Sequence, residues 1–290
     1  MTEAKGEVAT PPNGRKEEVK KAIADFPFEI YTPNKMSEWL KILIYAAPGA
    51  GKTYLLGTAE GDERLTPALL VDTEGGTLTI RGTKDIDVVR IRNYSDMVTL
   101  IQHLREPDHS KCSHRKWKSV MVDSLTELQK QIMGEIVRTE YQNNPSGRDP
   151  DVPTMRDWGK NAERVRKVIR ALRDMPGYHL FITCLEKENK DDNTGTTITL
   201  PSLPGQLAHE IAGFIDIVGY LRVMREETQR GEGQKQIRTY RRLIVQPITK
   251  AIAKDRSDLL GEWVDDPTLP KLLDVALAEM NKDGSKKKEK

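Results

Sequence analysis

Short apolar runs alternate with amphipathic stretches through the middle of the chain. Five of these runs have the length and composition of buried strands: residues 41–45, 68–71, 88–91, 120–122 and 180–183. Residues 95–104 and 161–175 instead place apolar side chains three or four positions apart, which is typical of helices, and a further helix is expected at residues 125–141. Because strands that alternate with helices favour a mostly parallel sheet covered on both faces, the pattern predicts an α/β fold.

Two further extended patterns lie in the C-terminal third. Residues 215–223 and 237–245 flank a glycine-containing turn at 231–233, which indicates an antiparallel hairpin that extends the sheet. A last helix is expected near residues 270–280. The predicted organisation is a flexible polar arm (1–22), one domain (23–282) and a disordered basic tail (283–290).

Composition and charge narrow the class of protein without selecting a function. Of the 290 residues, 37% are hydrophobic and 31% are charged, so the chain can bury a core under a polar surface. No apolar run approaches the roughly 18–20 residues that cross a bilayer, so no membrane partner is expected, and the polar first residues do not form a secretory signal. Cys112 and Cys184 cannot form a disulfide framework, which favours a reducing cytoplasm. A net charge of +2 argues neither for nor against nucleic acid.

The strongest motif follows the first predicted strand. It reads Ala46-Ala47-Pro48-Gly49-Ala50-Gly51-Lys52-Thr53 and precedes a helix expected at residues 51–59, which is the context that a phosphate-binding P-loop requires. Small residues let successive backbone N–H groups turn towards phosphates, and the dipole of the following helix favours an anion. The expected nucleotide-binding residues are Ala47, Pro48, Gly49, Ala50, Gly51, Lys52, Thr53 and Tyr54.

Two side chains of this motif carry its chemistry. Lys52 is expected to bridge the β- and γ-phosphates of ATP, and the Thr53 hydroxyl to ligate Mg²⁺. Ala46 departs from the usual pattern, which begins with glycine, and alanine fits if its backbone angles are ordinary. The alternative is a glycine-rich turn that binds nothing.

An acidic residue ends the fourth apolar run. Asp123 follows Ser119-Val120-Met121-Val122, and in a P-loop fold such a carboxylate lies beside the first strand and holds magnesium directly or through water. The alternative is a cap on the following helix. Ser124 can take that role while Asp123 faces the metal, so the two interpretations are compatible.

A second acidic segment, Asp72-Thr73-Glu74-Gly75, follows the strand at residues 68–71. A carboxylate at the carboxyl end of a sheet strand can polarise the attacking water, which makes Glu74 the candidate general base; otherwise Glu74 is a solvated turn residue. The same segment fits the D-x-x-G pattern of GTPases, and residues 189–192 fit their N-K-x-D pattern. Because residues 189–192 are expected inside a polar loop and not at a strand end, a GTPase is the weaker interpretation.

The two acidic segments together resemble those of a known family. Asp-Thr-Glu-Gly at residues 72–75 and Val-Asp-Ser at residues 122–124 are similar to the motifs of RecA and its archaeal and eukaryotic recombinase relatives. The resemblance covers roughly residues 40–260, and the whole chain is most similar to the short RecA-like ATPases of bacteriophages. It implies a RecA-like P-loop NTPase core that binds ATP and Mg²⁺, with Glu74 as the catalytic base.

The resemblance also implies an assembly. Ala253-Lys254-Asp255-Arg256 is similar to a basic element near the end of the RecA-type core, whose side chains reach the γ-phosphate of a neighbouring subunit. Lys254 and Arg256 are therefore expected to act in trans, in a ring or filament with ATP between the subunits. The alternative is a surface basic pair that caps a helix end.

DNA contacts are expected from two segments that match the mobile loops of RecA-like proteins, residues 143–156 and 186–208. The first contains Arg148 and Arg156, which can contact phosphates, whereas the second begins with acidic residues. Thr183-Cys184 departs from the family, which usually has an Asn-Gln pair that senses the γ-phosphate. A basic helical stripe is either an alternative DNA surface or a solvated face: Arg164, Arg166, Lys167, Arg170 and Arg173.

The motifs therefore predict a Mg²⁺-dependent ATPase, and the resemblance implies that it is slow, is stimulated by assembly or DNA, and acts on single-stranded DNA during phage recombination or annealing in the host cytoplasm. The alternative is an ATP-dependent switch or loader that binds a protein partner, such as a single-strand-binding protein or a helicase. A nucleotide kinase is disfavoured because the sequence contains no arginine-rich lid of suitable placement.

Overall fold

The computed structural model describes residues 39–105, 116–190, 195, 197–230, 234–248 and 250–278. Three predictions lie outside these residues: the arm at 1–22, the turn at 231–233 and the basic tail at 283–290. Within the described part of the chain, no helix combines the length and the apolar composition that a membrane crossing requires.

The described residues form a regular succession of strands and helices. The strands are β1 (Lys41–Ala46), β2 (Ala68–Asp72), β3 (Ile86–Arg90), β4 (Ser119–Asp123), β5 (His179–Lys190), β6 (Thr197–Pro201), β7 (Ile217–Arg230), β8 (Gln234–Ile244), β9 (Lys254–Asp255) and β10 (Trp263–Asp265). The helices are α1 (Lys52–Gly57), α2 (Tyr94–Arg105), α3 (Leu125–Asn143), α4 (Met155–Arg173), α5 (Leu207–Phe214) and α6 (Leu269–Ala276).

The main sheet has the order β10-β8-β7-β1-β5-β4-β2-β3. The strands from β7 to β3 in this order pair in parallel. The other two are antiparallel, since β8 pairs with β7 as a hairpin and β10 pairs with β8. These pairings confirm the predicted α/β fold with a mostly parallel sheet and an antiparallel extension.

Side chains alternate across the sheet and pack against helices on both faces. In β1, Leu43 and Tyr45 belong to a core formed with α2, α3, α4 and α5. Ile42 and Ile44 point the other way, into a core formed with α1 and α6. All residues of β1 are buried because both faces are covered, as the uninterrupted apolar run predicts.

Strand β5 is longer than the sequence predicts. Beyond the expected apolar run it continues to Lys190, and its last residues, from Glu186 onward, pair antiparallel with β6. The prediction of a loop over residues 186–208 is therefore wrong for much of that segment. Glutamate and lysine are poor strand formers by themselves, and here the partner strand supplies the hydrogen bonds that keep them extended.

Strand β5 also lies between β1 and β4. The expectation that Asp123, at the end of β4, lies beside the first strand is therefore wrong, because β5 pairs with both β1 and β4. The order of strands depends on contacts between distant parts of the chain, which the local pattern does not contain.

Side-chain caps begin three of the helices: α3, α4 and α6. Ser124 accepts a hydrogen bond from the Glu127 backbone N–H at 3.3 Å and begins α3, as the sequence predicts. Helix α4 begins at Met155 and not near residue 161, because Thr154 and Asp157 form a capping box there. The loop expected at residues 143–156 therefore ends at Met155, where the capped first turn of α4 begins.

Candidate functional site

The P-loop motif forms a tight turn between β1 and α1. Gly49 and Gly51 have φ angles of 77° and 101°, in the left-handed region that favours glycine. Ala46, at the position where glycine is usual, is the last residue of β1 and is buried. Its backbone is extended, with ordinary angles that alanine adopts, so alanine can replace the usual glycine at this position.

Lys52 is buried at the start of α1, with 8% of its surface exposed. Its Nζ donates hydrogen bonds to the carbonyl oxygens of Ala46 at 3.2 Å and Ala47 at 3.0 Å. Burial lowers the pKa of Lys52, and the negative charges of Glu74 and Asp123 act in the opposite direction. The ammonium group is thus folded onto the loop that it follows, close to two carboxylates.

Asp123 meets the P-loop helix although its strand is not adjacent to β1. The Thr53 hydroxyl donates to Asp123 Oδ2 at 2.6 Å, and the Thr183 hydroxyl donates to Asp123 Oδ1. Asp123 is 4% exposed, so both contacts are made in a largely desolvated position. The sequence marked Thr183 only as a departure from the family's Asn-Gln pair, and its contact with Asp123 was not predicted.

Glu74 lies in a turn that other polar groups hold in place. Asp72 Oδ1 accepts hydrogen bonds from the backbone N–H groups of Glu74 at 3.1 Å and Gly75 at 2.6 Å. The Ser124 hydroxyl donates to Glu74 Oε1, and the Thr73 hydroxyl donates to the Ser124 carbonyl oxygen at 2.8 Å. Because β2 and β4 are paired at Asp72 and Asp123, this turn lies beside the Asp123 carboxylate.

A cavity of about 760 Å³ lies beside these residues, and Asp123 reaches it through its contact with Thr53. Its lining includes Pro48, Gly49, Gly51, Lys52, Thr53 and Tyr54 of the expected binding set, whereas Ala47 and Ala50 do not line it. Glu74 lines the cavity as well, and so does Arg241, which sequence reasoning did not identify. The volume falls within the roughly 300–1,000 Å³ of ligand sites in proteins.

The oxygen atoms at this cavity suit a magnesium ion. Among the described residues, no group of three His, Cys, Asp or Glu side chains could hold a metal by itself. Mg²⁺ does not require such a group, since it usually takes one or two protein oxygens and completes its shell with phosphates and water. The Thr53 hydroxyl and the Asp123 carboxylate, already in contact, are the donors of that kind.

Lys254 and Arg256 lie at the amino edge of the sheet, the side at which β1, β5 and β7 begin. Lys254 Nζ donates to the carbonyl oxygens of Ala212 and, at 3.1 Å, Ile215, while Arg256 Nη1 pairs with Asp216 at 2.7 Å. These contacts cap the C-terminal end of α5, which agrees with the alternative interpretation of Lys254 and Arg256 as a basic pair that caps a helix end. Neither residue lines the cavity, and their role in trans stays a prediction.

The two expected DNA-binding arginines differ in their surroundings. Arg148 pairs with Glu140 at 3.4 Å and with Asp157, and its side chain is only 12% exposed. Arg156 is exposed on the first turn of α4. Most of the basic stripe on α4 is also engaged: Arg164 with Glu135, Arg166 with Glu163 and Glu210, Arg170 with the Phe214 ring, and Arg173 with Asp174.

The segment that resembles a guanine-binding motif lies in the β5–β6 hairpin. Asn189 and Lys190 are opposite Ile198 and Thr197, and neither lines the cavity. They therefore belong to a strand and not to the expected polar loop. The other two residues of that motif lie outside the described residues.

Comparison with known proteins places this chain in a family. A search of the curated proteins finds no match. Among solved structures, the X-ray structure of the Legionella pneumophila ATPase DotB is 13% identical with a TM-score of 0.30, and the match covers 81% of this chain and 51% of that chain. This chain therefore spans about half the length of the DotB chain. A family model described as an AAA domain matches residues 38–257, most of the chain and all of the site. The chain belongs to the AAA domain family, and its domain is a P-loop ATPase domain.

Proposed function

We propose that this domain binds Mg²⁺ and ATP in the cavity at the P-loop and hydrolyses the terminal phosphate bond. The observation that carries the proposal is the contact between the Thr53 hydroxyl and Asp123 Oδ2, 2.6 Å apart and beside the buried Lys52. Two residues 70 positions apart in the sequence meet at the point where a P-loop site needs a hydroxyl and a carboxylate.

Each side chain has a specific task in this proposal. Lys52 exchanges its two carbonyl partners for phosphate oxygens and neutralises charge that develops on the leaving group. Asp123 and Thr53 would hold the metal, which would supply charge neutralisation on the phosphates when bound. Glu74, held by Ser124, accepts the proton of the attacking water and lies at the same cavity.

The direct test compares phosphate release and ATP binding in wild type and Lys52→Ala. We expect phosphate release to fall by about a hundredfold or more, because charge on the transferred group loses its cation. The matched control is Lys167→Ala, which removes an exposed lysine on α4 outside the cavity and should change neither quantity. ATP binding and turnover in Lys52→Ala equal to those of wild type would refute the proposal.

We further propose a RecA-type role for this ATPase, in which subunits in a ring or filament act on single-stranded DNA in phage recombination. The motifs at residues 72–75, 122–124 and 253–256 support this proposal, as does the exposed Arg156. Filter binding of single-stranded DNA with ATP should weaken in Arg156→Gln and remain unchanged in the control Arg138→Gln, which neutralises an exposed arginine on α3.

A specific observation favours the alternative, an ATP-dependent switch or loader for a protein partner. Arg148 and most of the α4 arginines are engaged with carboxylates or rings of this chain, which lowers their capacity to hold a polyanion. The filter-binding assay separates the two functions. An absent or salt-insensitive DNA signal favours the switch, whereas ATP-dependent binding that weakens steeply with salt favours the DNA role.

A further inference from the structure

Arg241 is a cation at the cavity that none of the sequence motifs contains. It belongs to β8, far from the P-loop in sequence, yet its Nε donates a hydrogen bond to the Ala50 carbonyl oxygen at 3.0 Å. Its guanidinium group also lies over the Tyr54 ring, 4.6 Å from the ring centroid. Arg241 therefore contacts residues on both sides of the Gly51-Lys52-Thr53 segment.

The strand order gives Arg241 a separate direction of approach. Asp123 and Glu74 reach the P-loop from β4 and β2, which lie beyond β5 on one side of β1. Arg241 comes from β8, which lies beyond β7 on the other side. The cavity thus has Glu74 on one flank, Arg241 on the opposite flank, and Lys52 between them.

The backbone around Gly51 leaves room for this side chain. A Cβ atom on Gly51 would lie 2.4 Å from Arg241 Nε, closer than any real contact, and Gly51 has a φ of 101°. Gly51 is therefore required by the turn and also by the approach of Arg241.

The main chain of Arg241 is fixed while part of its side chain remains available. Its backbone N–H donates to Asp266 Oδ1 at 3.1 Å, and its carbonyl oxygen accepts from the Asp266 N–H at 2.7 Å. Within the described residues, no acceptor is hydrogen bonded to either Nη atom of Arg241. Because the face of the guanidinium is stacked on Tyr54, its Nη edge is the part that can bind a ligand.

We infer that Arg241 binds the phosphate groups of the nucleotide in cis, as a second cation beside Lys52. A planar guanidinium presents paired N–H donors in a fixed geometry that matches phosphate oxygens. Stacking on Tyr54 limits the freedom of the side chain before a ligand binds, so less entropy is lost on binding. The inference rests on the proposed nucleotide function of the same cavity.

The test measures binding of ATP and of inorganic tripolyphosphate, each with Mg²⁺, by calorimetry. We expect Arg241→Gln to bind both ligands about tenfold to a hundredfold more weakly, the range of a lost charge-assisted contact. Arg241→Lys should recover part of the loss, because it restores the charge without the planar donors. Binding to Arg241→Gln should also depend less on salt than binding to wild type, which a residue that only supports the loop would not change.

The matched control is Arg238→Gln, on the same strand, whose side chain is 62% exposed and lies outside the cavity. It removes the same charge and should bind both ligands as wild type does. The inference is overturned if Arg241→Gln binds tripolyphosphate as tightly as wild type does. If that variant also binds ATP more weakly, Arg241 contacts the base or the ribose and not the phosphates. If Lys52→Ala still binds tripolyphosphate like wild type, the proposed function itself fails. If Lys52→Ala binds tripolyphosphate more weakly than wild type but Arg241→Gln binds it equally well, the proposed function stands and Arg241 is not a second phosphate-binding cation.

Discussion

The two edges of the parallel sheet both carry charged or titratable side chains in buried positions, but these side chains have different partners. At the carboxyl edge, where the strands end, the buried Lys52 and the exposed Glu74 line one cavity, and the buried Asp123 contacts Thr53 of the same lining. At the amino edge, the buried Lys41 and the half-buried Lys254 donate to main-chain carbonyl oxygens where other elements begin or end. The cavity at the carboxyl edge gives its side chains access to a ligand.

Two residues illustrate the closed character of the amino edge. Lys41 Nζ donates to the carbonyl oxygens of Tyr178 and Met175, and burial lowers the pKa of Lys41 to about 8. His179 Nδ1 accepts a hydrogen bond from the Leu40 N–H at 3.1 Å, and burial lowers the pKa of His179 to about 4. A perturbed pKa therefore occurs at both edges, and by itself it does not identify a functional site.

The largest effect is expected for Glu74→Gln, which tests whether the carboxyl edge is catalytic. Removal of the proton acceptor should lower ATP turnover by about 10²–10⁴-fold, while ATP binding is retained because Lys52 and Asp123 remain. Single-turnover phosphate release and equilibrium ATP binding measure the two quantities. The control is Glu63→Gln, an exposed position outside the cavity, and equal turnover in the two variants would contradict a catalytic role for Glu74.

The second effect concerns stability at the amino edge. The pKa of His179 falls from 6.5 to about 4 on folding, so below pH 6.5 the unfolded chain binds a proton that the folded chain refuses. The stability from neutral His179 is present above pH 6.5 and is lost as the pH falls to about 4, by up to about 3 kcal/mol. Urea unfolding between these pH values should show this slope in wild type and a smaller slope in His179→Gln. Identical slopes in the two proteins would exclude His179 as the cause.

A third effect tests whether the contacts around Asp123 matter to the metal. Thr183→Val leaves Asp123 Oδ1 without its hydroxyl donor, and loss of such a supporting contact typically weakens metal affinity by about 10–100-fold. The measurement is the Mg²⁺ concentration that gives half-maximal phosphate release. The control is Thr197→Val on β6, which makes the same chemical change outside the cavity and should leave this Mg²⁺ concentration unchanged. An unchanged Mg²⁺ concentration in Thr183→Val as well would show that the Thr183 hydroxyl has no role.

The smallest effect is expected for Arg256→Gln at the amino edge. Its ion pair with Asp216 is exposed, so its loss should cost about 0–1 kcal/mol of unfolding free energy, and basal turnover in dilute protein should not change. Turnover over a range of protein concentrations then tests the role in trans. If turnover per subunit rises with protein concentration in wild type but not in Arg256→Gln, the amino edge of one subunit completes the site of its neighbour. The contrast between the two edges would then hold only within one subunit.

The local parts of the fold and the site could be predicted from the sequence. The P-loop between β1 and α1, the buried strands β1, β2 and β4 and the Ser124 cap follow from neighbouring residues, and the structure confirms them. The run at 88–91 also forms a strand, but β3 lies at the end of the sheet and Val88 is exposed, so its burial was predicted wrongly. The β7–β8 hairpin was also predictable, because its two extended runs flank a glycine-rich turn. These features depend on backbone geometry and side-chain alternation within short windows of sequence.

The parts that could not be predicted depend on distant contacts. The polar end of β5 is extended because β6 pairs with it, and the position of β5 between β1 and β4 is a property of the whole sheet. Thr183 and Arg241 belong to the site because strand register brings them there. For Arg241, the only local signal is a pair of arginines before the apolar end of β8. That pair does not indicate that Arg241 lies next to the P-loop.

Strand β5 is one continuous piece of backbone from the amino edge to its hairpin with β6. It carries Thr183, which contacts Asp123, and Leu185, which lines the cavity. At about 3.3 Å per residue, the strand extends about 23 Å from Thr183 to Lys190. A rotation of about 5° near Thr183 therefore displaces the far end by about 2 Å. The hairpin thus has the geometry of a lever arm, in which a small rotation beside the Asp123 carboxylate would become a displacement large enough to change a surface contact.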